Sequence, residues 1–166
     1  MKKIETERKY VIQKPDIRIL ESQSGFTSSE IEQIYLLDSE KTHRIRKRVF
    51  TSGTVEYTEN TKMRISLMSS VESEREIGEN EYKELSLNIE PGSRAVIKRR
   101  ITFEYLSKIF EIDIYPEWDK RCILEVELDS EDEKIEFPPF IKIIDDVTGK
   151  REYSNHRMAY KFPEEA

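Results

Sequence analysis

Charged side chains stand at every second position in several segments of the chain, and these are the residues that could do chemistry. Glu5, Glu7 and Lys9 begin the pattern. Successive side chains of a β-strand point to opposite faces, so the charges of each segment would share one face. Carboxylates bind hard cations such as Mg2+ and Mn2+, whereas arginine and lysine bind phosphate oxygens. The pattern recurs at Arg44, Arg46 and Arg48; Asn60, Lys62 and Arg64; Glu72, Glu74 and Glu76; Lys98 and Arg100; Glu111 and Asp113; and Glu125 and Glu127.

The sign of the charge separates two interpretations of this pattern. For any one segment alone, a charged face in contact with water is the simpler interpretation. Surface charge would be mixed, however, and after the first segment acids and bases occupy different segments. Sorted charge favours faces that turn inward, where a polyphosphate with a divalent metal would compensate charges that are costly to bury unpaired. No His/Cys set in the sequence indicates zinc.

Composition limits the class of protein. The 166 residues suit one domain, and 37% charged against 36% hydrophobic residues predict a thin but ordered core. A net charge of -6 argues against a simple nucleic-acid binder. Cys122 is the single cysteine, which excludes an intrachain disulfide and fits the cytoplasm. No apolar run follows Met1 as in a signal peptide, and none is long enough to span a bilayer.

Alternation of apolar and charged residues predicts eight strands. We expect them at 3–13, 30–37, 42–50, 54–64, 72–77, 95–103, 108–115 and 121–128. Helices are expected at 17–22 after Asp16, at 79–88, and from Ser154 or Asn155 to about 162. Loops or turns are expected at 65–71 and 130–134, and an irregular segment or short strand at 141–148. Short connections between many strands predict an α+β, mainly β fold: an eight-stranded antiparallel barrel with a few flanking helices and a charged lumen.

Several motifs occur in an order and spacing that resemble those of one family. They are the Glu-x-Glu-x-Lys start at Glu5, Glu7 and Lys9, and the segments 7–10, 33–36, 44–46, 57–62, 74–77, 96–100, 110–113, 124–127, 147–149 and 153–155. Together they resemble the CYTH domain proteins, also called triphosphate tunnel metalloenzymes, over nearly the whole chain. The resemblance implies a single domain over 1–166, folded as an eight-stranded antiparallel tunnel that binds a triphosphate along its axis.

The resemblance also implies roles for individual residues. The metal, Mg2+ or Mn2+, would be held by Glu5, Glu7, Glu125 and Glu127. The phosphates would be held by Lys9, Arg44, Arg46, Lys62, Lys98, Arg100 and Arg151. Catalysis would involve Lys9, Glu76 and Asp113.

Three positions depart from the family pattern. Asn60 stands where Thr is usual, Glu72 where Arg often precedes the acidic strand, and Glu152 where Arg often precedes Tyr, a role that Lys150 or Arg151 could take over. These changes leave the metal-binding acids intact and bear on substrate choice. His43, His156 and Cys122 match no catalytic motif. Trp118 in a turn predicts local packing, with folding over a tunnel mouth as the alternative.

The implied function is a metal-dependent triphosphatase acting on a small-molecule triphosphate, with inorganic tripolyphosphate as the leading substrate and nucleoside triphosphates as others. The expected protein is a cytoplasmic monomer or homodimer without a membrane or nucleic-acid partner. A class IV adenylate cyclase is a second hypothesis, although a His-Phe pair usual before the acidic motif is missing, since only residues 1–4 precede Glu5. A thiamine triphosphatase is a third. A non-catalytic polyphosphate or nucleotide binder is the alternative outside the enzymes.

Overall fold

The chain forms nine β-strands with three short α-helices, as seen in a computed structural model that describes residues 2–165. The strands are β1 (Lys2–Gln13), β2 (Thr27–Leu36), β3 (Thr42–Phe50), β4 (Val55–Arg64), β5 (Ser69–Glu76), β6 (Val96–Tyr105), β7 (Lys108–Ile114), β8 (Arg121–Glu127) and β9 (Ile143–Asp146). The helices are α1 (Ile17–Glu21), α2 (Glu79–Ser86) and α3 (Asn155–Met158), with a 3-10 turn at Arg151–Tyr153. No helix within residues 2–165 combines the length and apolarity needed to cross a membrane.

Eight of the strands close into an antiparallel barrel. The order of hydrogen-bonded neighbours is β5-β4-β3-β2-β6-β7-β8-β1, and β1 pairs with β5 to complete the ring. β1 achieves this because its residues 2–6 pair with β5 while residues 7–13 pair with β8 on the other edge. β9 lies on the part of β1 that β5 does not cover, where it pairs with residues 10–12. It thereby satisfies backbone groups that would otherwise form an open sheet edge.

Apolar side chains on the outside of the barrel pack under the helices and loops. One cluster includes Tyr10, Phe110 and Leu124, which lie beneath α1 and the segment 135–141. A second joins Ile34 and Ile45 to Tyr82 of α2. The predicted mainly β fold, the eight-stranded barrel and its flanking helices are therefore confirmed, and the inner faces of the strands remain for the charged residues.

Three predicted boundaries were wrong by three residues or more. β2 begins at Thr27, three residues before the predicted start, and β5 begins at Ser69 inside the predicted loop. Serine lacks the strand preference of β-branched and aromatic residues, so the cross-strand pairs of Ser69 and Ser70 with β1 were not evident from the sequence. α3 ends at Met158, well short of 162, because Phe162 turns to pack on Trp118 with the two ring centroids 5.3 Å apart.

Candidate functional site

The barrel lumen contains a cavity of about 370 Å3 whose lining is dominated by charged side chains. It opens to solvent beside exposed groups such as Lys3 and Glu127. Because its walls are polar and ionised, the cavity suits a small charged ligand rather than an apolar one. The predicted site residues among its lining are Glu5, Glu7, Lys9, Arg44, Arg46, Lys62, Arg100, Glu125 and Glu127.

Adjacent strands carry charge of the same sign, so the lumen has two distinct walls. The neighbours β7, β8, β1 and β5 form an acidic wall, and the neighbours β4 and β3, with β6 beyond the neutral β2, form a basic wall. Such opposed walls place anion-binding groups across the lumen from cation-binding groups. The acidic wall includes Glu5, Glu7, Glu72, Glu74, Glu111, Glu125 and Glu127, with Lys3 and Lys9 among them, and the basic wall includes Arg44, Arg46, Arg48, Lys62, Arg64 and Arg100.

Three carboxylates of the acidic wall converge closely enough to hold a metal ion. One oxygen from each of Glu7, Glu111 and Glu125 lies within 4.8 Å of the others. The strand register explains this, because Glu111 stands opposite Glu125 and the next inward residue of β8, Glu127, stands opposite Glu7. An all-oxygen set of three carboxylates matches the preference of Mg2+ and Mn2+. These residues therefore fit the predicted metals.

Burial and neighbouring charges set the ionisation of this group. Burial, reinforced by Glu125, raises the pKa of Glu7 well above its usual value. Burial also opposes ionisation of Glu125, but Lys9 and Arg100 outweigh it and hold the pKa of Glu125 well below its usual range. The Nζ of Lys9 lies 3.3 Å from Oε1 of Glu125 and donates to the carbonyl oxygen of Tyr153 at 3.3 Å. Repulsion between the carboxylates is thus a force that a divalent cation would relieve.

Behind the basic wall, Asp113 forms a buried ion cluster with two cations. Its carboxylate accepts hydrogen bonds from Nζ of Lys98 at 2.8 Å and from Nε and Nη2 of Arg100 at 2.8 and 2.9 Å. Burial opposes ionisation of Asp113, yet Arg100 and Lys98 hold its pKa far below the usual range. Arg100 also reaches Glu111 at 3.3 Å. The charges of Lys98 and Arg100 are therefore already compensated by protein.

Arg44, Arg46 and Arg48 of the basic wall have no carboxylate in contact among residues 2–165. Arg46 donates to the amide oxygen of Gln33, and Arg48 donates from Nε to the hydroxyl of Ser29 at 2.8 Å. The Nε of Arg44 is buried and has no hydrogen-bond partner within the described part of the chain. A buried donor without a partner is costly, and an anion in the cavity would satisfy it.

Known structures share this barrel. The inorganic triphosphatase NE1496 matches with a TM-score of 0.60 and 25% sequence identity, over 96% of this chain and 97% of that chain. PH1819 from Pyrococcus horikoshii OT3 matches with a TM-score of 0.61 and 22% identity, over 77% of this chain and 80% of that one. The chain has the triphosphate tunnel, or CYTH, fold. The family resemblance read from the sequence is confirmed at this level, although no family model and no curated protein matches the chain.

Within this CYTH barrel, four predicted site residues lie away from the cavity surface. Lys98 and Asp113 lie behind the wall in the ion cluster, with 1% of each residue exposed. Glu76 is exposed at the last residue of β5, and Arg151 is exposed at the first residue of the 3-10 turn. The acids of β5 that line the cavity are instead Glu74 and the buried Glu72, a position that departs from the family pattern.

Among the residues that shape the CYTH cavity, Glu111 in the carboxylate group and Arg48 at the basic wall were not assigned a role from the sequence. Neither was Gln33, which lies behind the lining and binds Arg46. The alternation signal included Glu111 and Arg48, which share a strand face with Asp113 and with Arg46. Gln33 carries no charge, so no charge-based signal identified it.

One end of the CYTH tunnel is filled by the C-terminal segment. The inward residues Val11 and Tyr115 pack there against Trp118, Val147 and Met158. Trp118 donates from Nε1 to the carbonyl oxygen of Pro163 at 2.9 Å, so this turn aromatic packs on the distant C-terminal segment at the end of the tunnel and not only locally. The cavity is therefore a cup that has this packed cluster as its floor, rather than a channel open at this end.

Proposed function

We propose that the protein is a metal-dependent hydrolase of a triphosphate, with inorganic tripolyphosphate as its leading substrate. The observation that carries the proposal is the opposition, within one small lumen, of three convergent carboxylates and a set of uncompensated arginines. A linear polyanion that binds metal through its oxygens would compensate both walls at once. The likeness to NE1496, which is named an inorganic triphosphatase, supports the same substrate class.

The acidic wall would hold Mg2+ or Mn2+ through Glu7, Glu111 and Glu125, with Glu5 and Glu127 at its margin. When bound, the metal would supply charge neutralisation and orientation of phosphate oxygens. Lys9, fixed between Glu125 and the carbonyl of Tyr153, holds the position of that carboxylate. The strand register keeps the ligand oxygens together before any substrate enters.

The basic wall would bind the phosphates and stabilise charge that builds on them during in-line attack by water. Arg44, Arg46, Arg48 and Lys62 form no ion pair at contact distance within residues 2–165, although Lys62 and Arg44 act on Glu72 from a longer distance, and all four line the cavity where an anion would bind. Lys98 and Arg100 would act mainly by fixing the wall. Asp113, bonded to two cations, is a poor proton acceptor, so we assign the proton of the attacking water to a carboxylate of the acidic wall.

Release of orthophosphate tests the proposal directly. Tripolyphosphate, ATP and thiamine triphosphate are each incubated with the protein and Mg2+ or Mn2+, with a chelator-treated sample as the control. We expect metal-dependent release that is fastest with tripolyphosphate. Binding without release under every condition would overturn hydrolysis in favour of a polyphosphate-binding protein, and formation of cyclic AMP and pyrophosphate from ATP would indicate a cyclase.

A further inference from the structure

Arg46, an uncompensated cation of the basic wall, is held by a neutral partner. Its Nε and Nη2 both donate to Oε1 of Gln33, at 3.1 and 2.8 Å. The two residues stand opposite each other on β2 and β3, and Gln33 is fully buried. These bonds leave Nη1 of Arg46 for a ligand, since no hydrogen bond of that atom occurs within residues 2–165.

The neutrality of this partner distinguishes Arg46 from Arg100. Arg100 has the same kind of two-nitrogen contact, but with the carboxylate of Asp113. Within residues 2–165 no acid is in contact with Arg46. Burial, followed by the guanidinium groups of Arg44 and Arg100, lowers the pKa of Arg46 to about 9. A carboxylate in place of Gln33 would remove this excess positive charge, and an amide preserves it.

The amide of Gln33 is itself fixed on its other side. Its Nε2 donates to the hydroxyl of Tyr35 at 3.2 Å. The ring of Tyr35 stacks on His156 with centroids 4.9 Å apart, and Nε2 of His156 lies 3.0 Å from Glu90. Because Nε2 is engaged by Tyr35, Oε1 faces Arg46, and the guanidinium is held in one orientation.

We propose that Gln33 is a positioning residue that fixes Arg46 through a neutral oxygen, so that the guanidinium keeps its full charge and presents its free edge to a phosphate group. The inference rests on the proposed function for the identity of the anion. It assigns to Gln33 a role in affinity rather than in folding, and it predicts that charge at this position matters more than hydrogen bonding.

The test compares Gln33→Glu with Gln13→Glu. Both substitutions add one negative charge to the same side-chain shape, but Gln13 is exposed and lies outside the cavity lining. Tripolyphosphate affinity is measured by calorimetry, with and without Mg2+, together with the melting temperature. We expect Gln33→Glu to weaken binding by about ten-fold or more while the melting temperature is unchanged or raised, because the new carboxylate pairs with Arg46. Gln13→Glu should bind as the wild type does.

A third variant, Gln33→Met, is neutral but cannot accept from Arg46. Its loss of affinity should lie between those of Gln13→Glu and Gln33→Glu. Wild-type affinity in Gln33→Glu, or a larger loss in Gln33→Met than in Gln33→Glu, would overturn the role of neutrality. Hydrolysis by the wild type is measured separately. A wild type that binds tripolyphosphate without cleaving it contradicts the proposed hydrolysis, but the affinities of the Gln33 variants still test the inference. A wild type that binds neither tripolyphosphate nor pyrophosphate contradicts both.

Discussion

The side chain of Asn60 donates a hydrogen bond from Nδ2 to Oε1 of Glu72 at 3.1 Å, between the adjacent strands β4 and β5. Both residues are buried and line the lumen. Each is also a position at which the sequence departs from the CYTH pattern, and the structure shows that the two departures meet in one contact. Burial opposes ionisation of Glu72, but a hydrogen bond with Glu5 and the positive charges of Lys62 and Arg44 keep its pKa below the usual value.

Replacement of Asn60 by Ala should therefore destabilise the protein by about 1–3 kcal/mol, because a buried carboxylate loses its amide donor. Urea unfolding measures the loss, and Asn88→Ala, at an exposed position, serves as the control. In a double-mutant cycle with Glu72→Gln, the two effects should not add. Additive effects would show that the contact contributes nothing.

Glu111→Gln should weaken binding of Mn2+ or Mg2+ by about ten-fold or more, because it removes one of three convergent carboxylates. Calorimetric titration of the metal alone measures this without any substrate. The matched control is Glu104→Gln on the exposed side of β6. Glu127→Gln should weaken metal binding less than Glu111→Gln, since Glu127 stands outside the three-carboxylate group; the reverse order would move the metal toward the cavity mouth.

Arg46→Ala should weaken tripolyphosphate binding by about ten-fold or more and change stability little, since it removes a cation that other arginines repel. Arg99→Ala is a close control. Arg99 also donates from Nε to a neutral oxygen of β2, that of Ser28 at 2.8 Å, but it lies outside the cavity lining. A large loss of stability with unchanged affinity would make Arg46 a structural residue.

Asp113→Asn should destabilise the protein by about 3–5 kcal/mol, because Lys98 and Arg100 would lose their common buried counter-charge. Denaturant unfolding of this variant is compared with that of Asp119→Asn, at an exposed turn position. Stability equal to the wild type, combined with lost turnover, would instead support the catalytic role that the sequence suggested for Asp113.

Glu165 should make the stability of the C-terminal segment depend on pH. Its carboxylate accepts hydrogen bonds from the backbone N–H groups of Asp119, Lys120 and Arg121. Although desolvation acts in the opposite direction, these bonds lower the pKa of Glu165. Because the folded-state pKa is depressed, the stabilisation is present above the unfolded value of about 4.3 and is lost as the pH falls through the folded-state pKa.

The melting temperature of Glu165→Gln should therefore lie below that of the wild type at neutral pH, and the difference should shrink at about pH 3. Glu164→Gln, one residue earlier and exposed, should show no such difference. A gap between Glu165→Gln and the wild type that is constant over this range would mean that the backbone bonds do not depend on the carboxylate charge.

Alternation of charge was enough to predict the barrel and most of its lining, because a period of two forces alternate residues onto one face whatever the partner strand is. It could not predict how far each strand extends. Glu76 falls on the same strand face as Glu72, yet it lies at the exposed end of β5. Because the strand begins earlier than predicted, in its Ser-rich segment, Glu72 rather than Glu76 lines the lumen. Where a strand ends depends on its neighbours, which the local sequence does not contain.

The sequence likewise did not predict which residues would pair across neighbouring strands. Whether Lys98 and Arg100 face a ligand or Asp113 depends on the register between β6 and β7. A tight turn sets that register, in which Leu106 and Ser107 both have positive φ, of 48° and 64°. Neither is the Gly or Asn that usually indicates such a turn, so nothing local showed that two of the predicted phosphate-binding residues would be bound to protein.

The packed floor of Trp118, Val147 and Met158 limits how ligands can move through the lumen. These side chains close this end of the lumen, so a bound polyphosphate would enter and leave by the solvent-exposed opening. If a polyphosphate is hydrolysed in a lumen that is closed at one end, the product nearer the opening dissociates first. The product bound deeper in the lumen dissociates after it. Turnover would then slow as products accumulate in solution, because they rebind through the same opening that the substrate uses.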